Sequence, residues 1–121
     1  MSDKATILIV DSNHSNMELL SEQLKQSDYR TITAASLEEF DQIIKGEEKV
    51  ALAMIDISGF DQYIWQRCEE LHKAKIPFIV ISPRRSSNIQ RHSMEHGASG
   101  LLAKPLDFKD LLEHIHTVLG D

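Results

Sequence analysis

Four short apolar runs in this chain each stop on a polar side chain suited to chemistry, and this repetition narrows the possible folds most. Thr6–Val10 stops at Asp11, 50–55 at Asp56, 78–81 at Ser82 and 101–103 at Lys104. The stretch Ala-Leu-Ala-Met-Ile-Asp-Ile-Ser-Gly at 51–59 is the plainest case, with five apolar residues carrying Asp56 to the edge of a glycine-bearing loop. A continuous apolar run of that length between polar clusters predicts a strand buried on both faces, as in a parallel sheet. Such a strand delivers its last side chain to the carboxyl edge of the sheet, where open α/β folds bind ligands.

Helical patterns separate the strands. The capping-rich cluster Asp11-Ser12-Asn13-His14-Ser15-Asn16 opens a helix with Met17, Leu20 and Leu24 on one stripe. A more alternating strand, Arg30–Ala34, is expected nearer a sheet edge. Ser36 with Glu39 forms a capping box, and the helix behind it aligns Leu37, Phe40 and Ile44 before stopping at Gly46, a natural C′ residue. A third helix over roughly 62–73 carries Ile64, Trp65, Cys68 and Leu71. Pro77 opens the fourth strand, where a missing N–H is tolerated. Ser87 to His96 is a helix closed by Gly97, and Asp107 caps a last helix that turns Leu111, Leu112, Ile115, Val118 and Leu119 inward.

Five strands alternating with five helices predict an α/β architecture, a doubly wound five-stranded parallel sheet covered on both faces. The flavodoxin-like strand order 2-1-3-4-5 places the ends of strands 1, 3, 4 and 5 side by side. Asp11, Asp56, Ser82 and Lys104 then surround one crevice. Taken singly, each has an ordinary structural reading, as a turn or cap aspartate, a strand-end serine or a solvated lysine. Four suitable residue types at four adjacent strand ends point to a site instead.

The 121 residues fit one domain, 1–121. A net charge of −6 excludes a nucleic-acid footprint. A lone cysteine excludes an internal disulfide, and the first apolar run is too short for a signal peptide or membrane span, which together suggest a cytoplasmic protein.

The motifs in order are Ile-Leu-Ile-Val-Asp at 7–11, Met-Ile-Asp at 54–56, Ile-Val-Ile-Ser at 79–82, Gly-Ala at 97–98 and Lys-Pro at 104–105. On these the chain resembles the receiver domain of two-component response regulators, of the chemotaxis type, over essentially its whole length. The resemblance implies that Asp56 accepts a phosphoryl group from a histidine kinase or phosphotransfer protein. It implies a Mg²⁺ ion held by Asp11, Asp56 and the backbone carbonyl of Ser58, which suits a cation that takes one or two carboxylates plus water and phosphate oxygens. Lys104 and Ser82 would contact the phosphoryl oxygens, and Lys104-Pro105 resembles the family's cis peptide. Output would pass through the face of helix 4, strand 5 and helix 5 to a downstream protein partner, a fused output domain or a second copy in a homodimer. Such a domain transfers and loses its own phosphoryl group and signals, rather than turning over an external substrate as an enzyme does.

Several positions depart from the family pattern. Ser12 stands where a second acid is usual, which removes an attraction of at most ~4 kcal/mol for charges about 4 Å apart. Mg²⁺ binding should be weaker, with Ser12 acting on the ion from outside its ligand set. The loop Ile57-Ser58-Gly59-Phe60-Asp61 lacks the family's Met-Pro pair, and the interval from Asp56 to Ser82 is short. Leu101 replaces an aromatic switch residue, and Pro83-Arg84 follow the hydroxyl in place of a small and a varied polar residue.

The alternative of the same fold is a pseudo-receiver, a module that binds protein partners without phosphate. A flavodoxin-like electron carrier is disfavoured because Asp11 would repel a phosphate at the first loop. A dinucleotide- or ATP-binding enzyme lacks its glycine-rich loop. His92 and His96 stand i, i+4 without a third metal ligand and read as a solvated face. His114 and His116 diverge around the last helix. Trp65 is expected to pack its helix on the sheet, and Cys68 reads as core.

Overall fold

Neighbouring residues on a strand face opposite ways, so a strand apolar at every position must be covered on both sides. The computed structural model, which describes residues 4–120, has this arrangement. The expected domain limits at 1 and 121 lie outside the described residues. The chain runs β1 (Thr6–Val10), α1 (His14–Gln26), β2 (Arg30–Ala34), α2 (Leu37–Lys45), β3 (Leu52–Asp56), α3 (Tyr63–Lys73), β4 (Phe78–Ser82), α4 (Ser87–Glu95), β5 (Gly100–Ala103) and α5 (Phe108–Leu119). All strand pairs are parallel and the sheet order is β2-β1-β3-β4-β5, as expected.

The two faces of the sheet bury separate cores. Ile7, Ile9, Leu52, Met54, Ile79 and Ile81 meet Met17, Leu20 and Leu24 of α1 and Leu111 and Ile115 of α5. Their neighbours Leu8, Val10, Ala53, Ile55, Phe78 and Val80 meet Phe40 of α2 and Ile64, Cys68 and Leu71 of α3. The central strands are apolar throughout because both sides are covered. β2, at the edge, is only partly buried and correspondingly mixed.

Local signals account for most boundaries. Asn13 caps α1, accepting from the Asn16 N–H at 3.0 Å. Ser36 accepts from Glu39 N–H, while the Glu39 carboxylate reaches back one residue further than a standard capping box, to Ala35 N–H at 2.6 Å. Asp107 caps α5 through Lys109 N–H. β3 starts at Leu52 rather than 50, although the Ala51 N–H already bonds to the Thr6 carbonyl of β1. β5 gains Gly100 by pairing with Ile79. Gly46 is not left-handed: its φ of −78° and ψ of −175° are extended, and α2 closes with a Gly46 N–H bond to Ile43.

His92 is exposed and His96 half-buried, and this solvated face has a second aspect. Both rings lie against Trp65 of α3, each 5.5 Å from it between centroids and 6.1 Å from one another. Trp65 is half-buried and reaches sideways to α4 as well as inward to the core.

Phe40 is fully buried and Met94 is 71% exposed, so the two make a matched test of where stability resides. Phe40→Ala is expected to lower unfolding free energy by about 3–5 kcal/mol. Met94→Ala should stay within about 0.5 kcal/mol of wild type in the same urea titration.

Candidate functional site

Parallel register brings the polar strand ends to one edge. Val10 pairs with Ile55, Asp56 with Ile81, and Ser82 with Ala103, so Asp11, Asp56, Ser82 and Lys104 follow or close adjacent strands. Backbone bonds continue the ladder just beyond these ends, from Asp11 N–H to Ala34, Ile57 N–H to Ile81 and Lys104 N–H to Ser82. A crevice of about 250 Å³ between α1 and the segment after β5 is lined by Asp11, Asp56 and Lys104, with Asn16, Leu20 and Pro105. Three of the four expected residues therefore share a cavity.

Asp56 is 3% exposed, with one partner on each carboxylate oxygen. Its Oδ1 accepts from the Ser58 N–H at 2.9 Å, and its Oδ2 lies 2.6 Å from Lys104 Nζ. Asp11 is buried almost as deeply, and its Oδ1 accepts from the Asn13 N–H at 2.9 Å. Burial pushes the Asp11 carboxyl above its ordinary pKa. The Asn13 N–H opposes that shift, the Asp56 charge adds to it, and Lys104 opposes it in turn. Two carboxylates thus sense one another across the crevice, with one ammonium paired to Asp56 and acting on Asp11 through space.

Ser82 stands apart from this group. Its hydroxyl donates to the carbonyl of Arg84, two residues on in its own loop, and accepts from the Arg84 N–H at 3.3 Å. It lines a second, larger groove of about 680 Å³ with Arg84, Ser86, Met94, Leu101 and Lys104. Lys104 and Pro105 border both spaces and link them.

The donor set can be tested against a divalent cation. Asp11 and Asp56 supply hard carboxylate oxygens at one edge, each with lone pairs beyond those in use. The Ser58 carbonyl lies in the same loop, and the Ser58 hydroxyl is the sole buried side-chain oxygen without a hydrogen-bond partner among the described residues. A cation would also relieve the unfavourable burial of Asp11. These residues fit Mg²⁺. The Lys104-Pro105 peptide is cis, as the resemblance implied.

Sequence reasoning did not find the contact between Ser12 and Ser58. The Ser12 hydroxyl donates to the Ser58 carbonyl at 3.0 Å, across 46 positions of chain. The glycine at 59 is the residue beside Ser58, and its φ of +82° and closeness to Ser12 Oγ mark a tight approach between these loops.

Known proteins share this chain's sequence pattern and fold. The family model described as the response regulator receiver domain matches residues 7–116. The polar-differentiation response regulator DivK of Brucella ovis is 27% identical over 96% of this chain and 97% of its own. The heme response regulator HssR of Staphylococcus haemolyticus is 28% identical over 93% of this chain and half of its own length. The CheY-like receiver domain protein of Methanospirillum hungatei superposes with a TM-score of 0.88 at 28% identity, covering 98% of this chain and 95% of its own.

Because the Asp11 pKa is higher folded than unfolded, the stability it contributes is complete below 3.8 and lost as pH rises through the raised folded value. Asp11→Asn is therefore expected to be more stable than wild type at pH 7 without divalent cation, with the advantage shrinking as pH falls towards 3.8. Urea titrations across that range check it, and a constant difference would contradict the burial argument.

Proposed function

The chain belongs to the response regulator receiver domain family, and from that membership we propose that Asp56 accepts a phosphoryl group from a histidine kinase or phosphotransfer protein. The observation that carries this reading is the pairing of a 3% exposed Asp56 with Lys104 at 2.6 Å, at the carboxyl edge of the sheet. A buried carboxylate held in place on the wall of one crevice suits a nucleophile approaching a phosphoryl group.

In the transfer an Asp56 carboxylate oxygen forms an O–P bond as the donor's P–N bond breaks. The polyanion that results needs neutralising charge, and positioning with electrostatic stabilisation is the main requirement in phosphoryl transfer. Lys104 already neutralises Asp56 and would share its ammonium with a phosphoryl oxygen. Asp11, Asp56 and the Ser58 carbonyl would hold Mg²⁺, which when bound supplies the remaining positive charge. Ser82 would exchange the Arg84 carbonyl for a phosphoryl oxygen as hydrogen-bond acceptor. That exchange would free the Arg84 loop just before α4, and the face of α4, β5 and α5 would dock a downstream protein, an output domain or a second copy. A second reading keeps the same fold as a partner-binding module without phosphate. It is favoured by Ser12 in place of an acid and by the Ser82 hydroxyl already satisfied within its loop.

Acetyl phosphate with Mg²⁺ is expected to add the mass of one phosphoryl group to the wild-type chain and nothing to Asp56→Asn, read by intact mass spectrometry. Equal gain in both proteins would remove Asp56 from the acceptor role. Gain in neither would leave the phosphate-independent module.

A further inference from the structure

A carboxylate at position 12 could not bond to the Ser58 carbonyl, because both groups are acceptors. A serine can, and here it does. The Ser12 Oγ donates to the Ser58 carbonyl at 3.0 Å, joining the loop after β1 to the loop after β3. Space for the contact depends on Gly59. A Cβ built there would lie 2.2 Å from Ser12 Oγ and 3.1 Å from Ser12 Cβ. Position 59 is also left-handed, with φ at +82°, so the loop has both the curvature and the bare backbone that the hydroxyl requires.

We propose that Ser12 is a positioning residue, a strap that fixes the Ser58 carbonyl and its loop before any cation binds. A peptide carbonyl has two lone pairs, so the strap occupies one and leaves the other for a metal ion. The serine oxygen, acting as donor, keeps its own lone pairs free to accept from a cation-bound water. Loss of the second acid therefore lowers the site's charge while adding order that does not depend on metal. The loop from Ile57 to Phe60 is ordered on one side by Ser58 N–H to Asp56 and on the other by the strap. Its ends are fixed by the Ile57 N–H bond to Ile81 at 3.1 Å and the Phe60 N–H bond to Ile57 at 3.3 Å. Removal of the hydroxyl leaves the Ser58–Gly59 tip held to its surroundings by the Asp56 carboxylate, between the anchored ends at Ile57 and Phe60.

The cation arm of this proposal rests on the Mg²⁺ site described above, and the metal-free arm does not. Amide hydrogen exchange of the whole chain in a chelator is expected to be about threefold to tenfold faster at Ser58, Gly59 and Phe60 in Ser12→Ala than in wild type. Ser12→Thr, which keeps the hydroxyl, should retain the protection. Calorimetric titration with Mg²⁺ should show Ser12→Ala binding about threefold to tenfold more weakly, with Ser12→Thr close to wild type. Unchanged exchange in Ser12→Ala would overturn the strap. Tighter Mg²⁺ binding in Ser12→Ala would overturn it too, by showing that the hydroxyl competes with the cation. A wild-type chain that binds no Mg²⁺ would count against the phosphoacceptor reading, and the exchange measurement would still decide the strap.

Discussion

Two carboxylates buried at one sheet edge, answered by one ammonium, set the terms for everything around them. A buried charge is costly unless it is paired and hydrogen-bonded. Asp56 meets both conditions through Lys104 and the Ser58 N–H. Asp11 has the Asn13 N–H and no close cation of its own, and its raised pKa is the electrostatic consequence. The loops take their shape from the same requirement. After each strand the chain folds back so that the N–H two residues on reaches the carboxylate, at Asn13 for Asp11 and at Ser58 for Asp56. The surplus negative charge left at the edge is what a divalent cation would stabilise.

Sequence carried the sheet well because its signals are redundant there. Four apolar runs ending on polar residues specify strand, direction and edge together, and parallel register then has little freedom. The helix caps at Ser36 and Asp107 were equally readable, since they depend on contacts three residues or fewer apart. What sequence did not carry are contacts between elements distant along the chain. Ser12 and Ser58 have no local pattern to mark their bond, and neither do Trp65, His92 and His96. Gly46 shows the limit of a local rule from the other side. A glycine after a helix favours the left-handed cap, yet here the chain leaves α2 extended towards β3.

The edge is asymmetric. On the α1 and α5 side, Asp11, Asp56 and Lys104 enclose a small crevice. On the α4 and β5 side lies the larger groove, where Leu101 is only partly buried and its side chain belongs to the core cluster behind the sheet. An aromatic ring at that position would reach beyond the space a leucine occupies. Ser82 sits at the border with its hydroxyl turned to the Arg84 carbonyl. The groove and the serine are therefore joined through one short loop, Pro83 to Ser86, which also supplies the cap of α4.

The way α4 is attached determines how that loop can act. Ser93 is the only residue of α4 that is buried, so the helix has almost no apolar stripe of its own holding it to the sheet. Its C-terminal half is held from α3 instead. Trp65 contacts both His92 and His96, and aromatic pairs of this kind contribute about 0.5–1.5 kcal/mol each beyond their buried area. At Gly97, left-handed with φ at +88°, any Cβ would lie 2.3 Å from the His72 ring nitrogen, so α3 also fits closely under the turn that ends α4. The N-terminal half has the Ser86 cap and the Arg84–Ser82 bonds, and little else. A helix secured at one end and lightly held at the other responds to a disturbance by pivoting about the secured end. On the proposed function, a phosphoryl group that draws the Ser82 hydroxyl away releases the lightly held end. The Trp65 contacts would then make such a motion of α4 a swing of its first turns rather than a displacement of the whole helix.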